Sequence, residues 1–458
     1  MPRTDRTGQS WWRRRQYLSG GGESPCDRKA KRVSIGIQLE TILGREALFE
    51  SDEPQLVYVL VHAIPHGSAS KMPKMPLNLC LVIDRSSSMR GERLFQVKEA
   101  ARRIVDQMSG NDYFSLITFN DRADIVVSAQ RAAKKDEIRR KIAGIEAAGG
   151  TEMATGLATA LQDMQRVAIM GRMINRILLL TDGRTYGDES LCVQLARRAQ
   201  DRRIGITALG IGHEWNEDLL ETMAARENSR AEYITSSAEI TRVFAEELKR
   251  METIFAQNVS LHVHVAPGGM LRSFDRVEPF IAPVSLIEQQ DRVWAANLGD
   301  WPGTDQQTFL LELAAPPLRS GKQVLAQLTL HYYPIGPQTN MQEVRSLLPI
   351  QVLPNSDAMP AIDQQVKYWL ERLVAYRLQA QAWQDIESGE VEDASRRLKM
   401  AGTRLLESGE TELAQTVEAE ATRLLRSGQA SAEGRKRIKY GTRGLIGQHA
   451  RLPEKSER

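Results

Sequence analysis

Two kinds of hydrophobic pattern divide the chain, and each predicts a different architecture. From residue 77 to about residue 250, short apolar runs alternate with stretches in which apolar residues recur at helical spacing. This alternation is typical of a doubly wound, mainly parallel α/β sheet. From residue 258 to residue 353, apolar and polar positions alternate with a period of two, and no helical stretch intervenes. That second pattern predicts an antiparallel β-sandwich.

Two further strands are predicted ahead of the α/β region. Val33–Leu39 alternates between apolar and polar residues, Gln55–Val61 is a second apolar run, and neither is followed by a helical pattern. Strands without crossover helices do not easily join a parallel sheet, so we expect both to complete the sandwich. The α/β domain is then inserted into the sandwich, which is geometrically simple because the ends of a compact domain commonly lie close together.

Beyond Pro360 the pattern is helical and weakly repetitive. Leu405–Gly409 recurs as Leu424–Gly428, and Ser-Gly pairs followed by polar or acidic residues are typical of helix ends and new helix starts. About three antiparallel helices are predicted. They are compatible with a tetratricopeptide-like groove for a partner, but we favour a bundle that packs against the sandwich of its own chain.

These patterns define the expected domains. The boundaries, in chain order, are a disordered basic extension at 1–31, the N-terminal strands of the β-sandwich at 32–76, the α/β domain at 77–252, the remainder of the sandwich at 258–355, helical hairpins at 360–430 and a basic tail at 431–458.

Charge is concentrated at the two ends of the chain. The net charge of the 458 residues is only +3, yet residues 1–32 carry nine Lys or Arg against three Asp or Glu, and residues 434–458 carry eight against two. Basic ends are candidates for contact with acidic partners. They lack interleaved aromatic residues and any known nucleic-acid-binding motif, so we do not predict sequence-specific binding to nucleic acid.

The sequence also bears on the compartment. No apolar run approaches the roughly 18 residues that crossing a bilayer requires, and the N-terminal stretch lacks the apolar core of a signal peptide. The three cysteines, Cys26, Cys80 and Cys192, form no CxxC pair. We therefore expect a cytoplasmic protein with free thiols and no transmembrane segment.

The candidate chemistry lies where buried strands end. Asp84 ends an apolar run and is followed by Ser86 and Ser88, Thr151 follows a Gly-Gly turn, and Asp182 ends a second apolar run. Because the carboxyl ends of parallel strands meet at one edge of a sheet, we expect these five side chains to lie close together. Carboxylate and hydroxyl oxygens are the ligands that hard cations such as Mg²⁺ or Mn²⁺ prefer. The sequence therefore predicts a divalent-metal site.

The motifs D-R-S-S-S-M, G-G-T-E and L-L-L-T-D-G, in this order, resemble the von Willebrand factor A domain with its metal-ion-dependent adhesion site. The resemblance covers about residues 77–250 and fills all five ligand positions. It implies that the two serines contact the ion directly and that Thr151 and Asp182 exchange between direct and water-mediated contact. It also implies that an Asp or Glu carboxylate of a partner protein completes the coordination shell.

The whole layout looks like that of bacterial proteins in which such a domain is inserted into a β-sandwich. The fold class expected from it is a doubly wound, mainly parallel, Rossmann-like α/β sheet inserted in an antiparallel β-sandwich and followed by a C-terminal helical segment. The favoured function is a non-catalytic one, in which a partner is bound through a metal-bridged carboxylate.

Two other functions stay open at this point. The first is Mg²⁺-dependent phosphoryl transfer with Asp84 as nucleophile, because haloacid-dehalogenase-like phosphatases also place an aspartate at a strand tip beside magnesium. Those enzymes require a second acid two residues later, where this chain has Ser86. The second is a scaffold that binds partners through its sandwich or helices and holds a purely structural metal.

Overall fold

The computed structural model describes residues 36–66, 74–168, 173–185, 187–224, 230–290, 292–303, 306–335, 340–354 and 360–444. These residues form an α/β domain, a sandwich of two mainly antiparallel sheets and a set of C-terminal helices. The fold class predicted from the sequence is thereby confirmed. The expected extension at 1–31 lies outside the described residues.

The described chain begins with strands that belong to the sandwich. They are β1 (Gly36–Leu43), β2 (Ala47–Phe49) and β3 (Gln55–His66). β1 and β3 pair in antiparallel fashion. No crossover helix joins them, and parallel strands need such a connection, so they could be assigned to the sandwich from the sequence.

Six strands form the sheet of the α/β domain. They are β4 (Leu77–Asp84), β5 (Tyr113–Phe119), β6 (Ala123–Arg131), β7 (Ile174–Thr181), β8 (Ile204–Ile211) and β9 (Ala231–Ile234), and their order in the sheet is β6-β5-β4-β7-β8-β9. Neighbours are parallel except for β5 and β6. Because β5 lies on one side of β4 and β7 on the other, the sheet changes its direction of growth at β4. Such switch points are where open α/β sheets bind ligands.

Helices cover both faces of this sheet. They are α1 (Glu92–Gln107), α2 (Lys135–Ala143), α3 (Met153–Ala168), α4 (Glu189–Asp201), α5 (Glu217–Ala224) and α6 (Ile240–Glu252). Apolar residues of α1, α2 and α6 share one core with Leu79 and Leu81, whereas those of α3, α4 and α5 share another with Cys80 and Val82. All eight residues of β4 are buried because alternate side chains enter these two cores.

The remaining strands complete the sandwich. They are β10 (Ile254–Val265), β11 (Met270–Glu278), β12 (Ala282–Pro283), β13 (Leu286–Gln290), β14 (Val293–Pro302), β15 (Gln307–Ala315), β16 (Gly321–Pro334) and β17 (Gln342–Leu353). The two sheets have the orders β1-β3-β15-β11-β12 and β13-β14-β10-β16-β17-β2. β3 pairs along its length with β15, so strands from before and after the α/β domain share one sheet. This pairing confirms the predicted insertion.

The C-terminal helices are α7 (Gln364–Glu387), α8 (Val391–Glu407), α9 (Thr411–Ser427) and α10 (Ala432–Thr442). α7 packs against the sandwich, where Trp369 and Leu373 share a core with Leu60 and Leu310. This contact agrees with the interpretation that the helices pack against their own chain. Among the described residues, no helix is both long enough and apolar enough to cross a membrane.

One expectation for the C-terminus is wrong. The sequence predicts a basic tail at 431–458, but the first part of this stretch is α10, in which Ile438 and Tyr440 are fully buried. The bases of this helix form ion pairs with acids of α5, which lies more than 200 residues earlier in the chain. A local count of charge does not reveal partners at that distance. Residues 445–458 lie outside the described residues.

Candidate functional site

Asp84 lies at the carboxyl end of β4, at the switch point of the sheet. It is fully buried, and both of its carboxylate oxygens accept hydrogen bonds. The backbone N–H of Ser86 donates to Oδ1 at 2.8 Å, and the hydroxyl of Thr181 donates to Oδ2 at 2.6 Å. Burial raises the pKa of Asp84 to about 6; these hydrogen bonds oppose the rise, and the nearby carboxylate of Asp182 adds to it.

The two serines belong to a tight turn that follows Asp84. Ser86 immediately precedes a single turn of 3₁₀ helix, Ser87–Met89, and the side chain of Met89 anchors this turn in the core. The hydroxyl oxygens of Ser86 and Ser88 are 3.0 Å apart. Ser86 is buried whereas Ser88 is exposed, so the pair leads from the buried carboxylate to the surface.

Asp182 follows the last residue of β7, and its carboxylate is buried. Its Oδ1 accepts a hydrogen bond from the hydroxyl of Ser88 at 2.7 Å, and its Oδ2 lies 2.5 Å from Nη1 of Arg93, on the first turn of α1. Among the residues that the structure describes, no second base forms an ion pair with Asp84 or Asp182. The two buried carboxylates thus have a single ion pair between them, that of Asp182 with the half-exposed guanidinium of Arg93.

Thr151 lies in the loop between α2 and α3 and is half buried. Its hydroxyl oxygen would be 3.4 Å from a Cβ atom placed on Gly183, the residue next to Asp182. Its backbone carbonyl accepts a hydrogen bond from the hydroxyl of Thr185 at 3.1 Å. These contacts fix the loop that contains Thr151 against the loop that follows β7.

The Gly149–Gly150 turn before Thr151 holds this loop against the 3₁₀ turn that follows Asp84. The carbonyl of Gly149 accepts a hydrogen bond from the backbone N–H of Ser87 at 3.0 Å. Gly149 has a φ of +81°, and a Cβ atom there would lie 2.4 Å from a carboxylate oxygen of Asp121. Only glycine combines this conformation with this close approach.

The predicted residues are thus brought to one place. Hydrogen bonds link Asp84, through Ser86 and Ser88, to Asp182, and Thr151 lies beside them. Sequence reasoning missed Thr181 and Arg93. Thr181 could have been found, because parallel pairing of β4 with β7 places the residue before Asp182 beside Asp84. Nothing in the local sequence indicates the role of Arg93.

The donor set fits a hard cation. Among the described residues, no group of three or more His, Cys, Asp or Glu side chains could hold a metal ion. A metal at this cluster would therefore depend on hydroxyl oxygens in addition to its two carboxylates. All of these donors are oxygens, a set that suits Mg²⁺ or Mn²⁺ and lacks the nitrogen and sulfur ligands typical of structural zinc.

Comparison with known proteins identifies relatives of the two main parts. The von Willebrand factor type A domain family matches residues 78–246, and the Sll0103-like, C-terminal alpha-helical domain family matches residues 364–448. The protein sll0103 of Synechocystis sp. is 31% identical over 368 residues, which cover 79% of this chain and 86% of that protein. The two chains therefore correspond over most of their lengths.

A more distant relative matches a smaller part. Bovine inter-alpha-trypsin inhibitor heavy chain H4 is 31% identical over 267 residues, covering 55% of this chain and 29% of that protein. The chain thus spans under a third of the length of this relative.

Two solved structures resemble the chain over nearly its whole length. A von Willebrand factor type A protein from Catenulispora acidiphila has a TM-score of 0.74 at 15% identity, covering 92% of this chain and 99% of that one. The ArnB paralog VWA2 from Sulfolobus acidocaldarius has a TM-score of 0.52 at 14% identity, covering 90% and 100%. At these identities the likeness concerns the fold alone.

Proposed function

Because the chain belongs to the von Willebrand factor type A proteins that carry a Sll0103-like C-terminal helical domain, we propose that it is a non-catalytic protein that binds a protein partner through a metal-ion-dependent adhesion site. The residues proposed to hold Mg²⁺ or Mn²⁺ are Asp84, Ser86, Ser88, Thr151 and Asp182. The proposal rests mainly on one observation: at the switch point of the sheet, two buried carboxylates, Asp84 and Asp182, lie close together, and the one ion pair described for them is that of Asp182 with Arg93.

The side chains have different tasks in this proposal. Asp84 supplies charge and fixes Ser86 and Thr181, since both of its oxygens already accept hydrogen bonds from them. Ser88 is exposed and gives a partner access to the cluster. When bound, the ion offers an open coordination position for an Asp or Glu carboxylate of the partner.

The surroundings of Asp84 argue against phosphoryl transfer. A nucleophilic carboxylate needs an accessible oxygen, whereas Asp84 is fully buried and both of its oxygens are engaged. Ser86, two residues later, supplies no acidic proton to a leaving group. An Asp84-dependent hydrolysis of a generic phosphate ester would overturn the non-catalytic assignment.

Calorimetric titration with Mg²⁺ tests the site. We expect the wild type to bind one ion per chain and both Asp84→Ala and Asp182→Ala to lose this binding. Asp136→Ala is the matched control, because the side chain of Asp136 is 88% exposed on α2 and pairs with Arg139, not with any of the five site residues. If the two site variants bind Mg²⁺ like the control, the assignment is wrong.

Capture of the partner tests the mode of binding. Binding through the site requires that a chelator release the partner and that Mg²⁺ restore the complex. A partner that stays bound in chelator would indicate binding through the sandwich or the helices, with a purely structural metal. The cytoplasmic location and the contact of the basic ends with acidic partners remain predictions from the sequence.

A further inference from the structure

Arg93 occupies the rim of the candidate site and contacts groups from separate parts of the chain. Its Nη1 lies 2.5 Å from Oδ2 of Asp182 and 3.5 Å from the backbone oxygen of Ser88. Its Nη2 would be 3.6 Å from a Cβ atom on Gly212, which follows β8. The guanidinium therefore fills the space between the carboxylate, the 3₁₀ turn and the loop that leads to α5.

This arrangement engages both oxygens of Asp182. The hydroxyl of Ser88 donates to Oδ1 and Arg93 donates to Oδ2. A divalent ion at this carboxylate would lie within a few ångströms of the positive charge of the guanidinium, and the two cations would repel each other. Either the ion binds less tightly or the guanidinium moves away.

The side chain of Arg93 is able to move. It is 41% exposed, whereas the carboxylate of Asp182 is fully buried. Its ion pair with Asp182 is the one that it forms among the described residues, and it extends from the first turn of α1, outside the apolar core of the domain. Rotation of the side chain into solvent breaks one ion pair and leaves the core of the domain intact.

We propose that Arg93 is an internal counter-cation of Asp182 that competes with the divalent ion and thereby sets the metal affinity of the site. This inference rests on the proposed function, since it assumes that Asp182 binds the metal. Arg93 acts as a positioning residue: it holds the carboxylate in place through a contact that the ion must replace.

Arg90 offers a matched control for the charge. It follows Ser88 by two residues at the same rim, is exposed, and forms no ion pair with any residue that the structure describes. Arg90→Gln therefore removes the same charge from the same surface without changing the environment of Asp182. The difference in Mg²⁺ affinity between the two glutamine variants therefore measures the contact with Asp182, separately from the effect of removing one positive charge from the surface.

The experiment is a calorimetric Mg²⁺ titration of the full chain in four forms: wild type, Arg93→Gln, Arg90→Gln and Asp182→Asn. We expect Arg93→Gln to bind Mg²⁺ about fivefold more tightly than the wild type, which is the effect of losing one half-exposed ion pair. We expect Arg90→Gln to change the affinity by less than about twofold, because exposed charges are screened.

Each outcome has a distinct meaning. If Arg93→Gln binds Mg²⁺ no more tightly than Arg90→Gln does, while Asp182→Asn abolishes binding, the role of Arg93 is refuted and the metal site stands. If Asp182→Asn binds like the wild type, the metal site itself is refuted. Should Arg93→Gln fail to fold, Arg93→Lys replaces it: a lysine lacks the planar fork of the guanidinium, so a partial gain in affinity is expected and an unchanged affinity contradicts the proposal.

Discussion

Two clusters of charge in this protein differ in how completely they are neutralised. The first is the interface between α5 and α10, where the acids Glu217, Asp218 and Glu221, joined by Glu387 of α7, form ion pairs with the bases Arg435, Lys436, Lys439 and Arg443. The second is the candidate site, where, among the described residues, the buried carboxylates of Asp84 and Asp182 have a single ion pair between them, that of Asp182 with Arg93.

The difference separates a structural contact from a candidate binding site. At the interface the charges are matched, and Lys439 lowers the pKa of Asp218 even though burial opposes the change. At the candidate site burial dominates and raises the pKa of Asp84 to about 6. In a buried ion pair the attraction between the partners offsets the cost of removing them from water, whereas an unmatched carboxylate is costly until a cation joins it. We therefore propose the second cluster as the position at which a ligand binds.

Breaking the matched cluster should have the largest effect. Glu221 forms ion pairs with Lys439 at 3.1 Å and with Arg443 at 2.7 Å, and both bases are almost buried. Glu221→Ala leaves these two charges without this partner, so we expect a loss of about 3 kcal/mol in the free energy of unfolding. Urea denaturation followed by tryptophan fluorescence measures it.

A control variant on α6 sharpens this result. Glu246 pairs with Arg242 in an exposed i,i+4 contact, so Glu246→Ala should cost less than about 1 kcal/mol. Equal losses for the two variants would mean that the α5–α10 interface is no more than a surface contact.

The second prediction concerns Lys436, the most deeply buried base of the interface. Its Nζ donates to the backbone oxygens of His213 and Trp215 at 2.5 and 2.7 Å, and lies 4.4 Å from the centre of the Trp215 ring. Burial lowers the pKa of Lys436 to about 8, below the value of about 10.5 for an exposed lysine. The charged form is therefore the destabilised one in the folded protein.

The sign of the pH effect follows from this shift. Between pH 8 and pH 10 the unfolded chain keeps the proton that the folded protein releases, so this group makes the folded state more stable as the pH rises. Relative to Lys436→Met, the free energy of unfolding of the wild type should rise by about 2 kcal/mol between pH 8 and pH 10. A difference between the two proteins that stays constant with pH would show that Lys436 is not desolvated.

The smallest effect is expected at the unmatched cluster. In the presence of chelator, Asp84→Asn should change the free energy of unfolding by less than about 1 kcal/mol, because it removes a destabilised charge and keeps an acceptor oxygen for a hydrogen bond. Thermal unfolding in chelator measures this. A loss as large as that of Glu221→Ala would mean that Asp84 stabilises the fold by itself and that the two clusters are alike.

Much of the fold could be predicted because the deciding information is local. The run that ends at Asp84 is apolar except for Asn78, as expected of a strand covered on both faces, and the end of that strand fixes where its carboxylate lies. The signal is weaker at β6, an edge strand of the same sheet, because Ile125 is exposed there.

The parts that could not be predicted depend on pairing across the chain. Arg93 is one arginine among several near the motifs, and only the meeting of α1 with the end of β7 makes it the partner of Asp182. The bases of α10 predict a basic tail when only the local sequence is considered, because the acids that neutralise them lie on α5. In both cases the partner is distant in sequence, and spacing along the chain gives no signal for it.

A crystal grown with Mn²⁺ and measured for anomalous scattering tests the central claim most directly. We expect one anomalous peak per chain at this cluster, within direct coordination distance of the hydroxyl oxygens of Ser86 and Ser88, with Thr151 and Asp182 in the first or second coordination shell of the ion. We also expect the peak to be lost in Asp182→Asn. The absence of a peak at this position, or a peak that persists in the variant, would contradict the account.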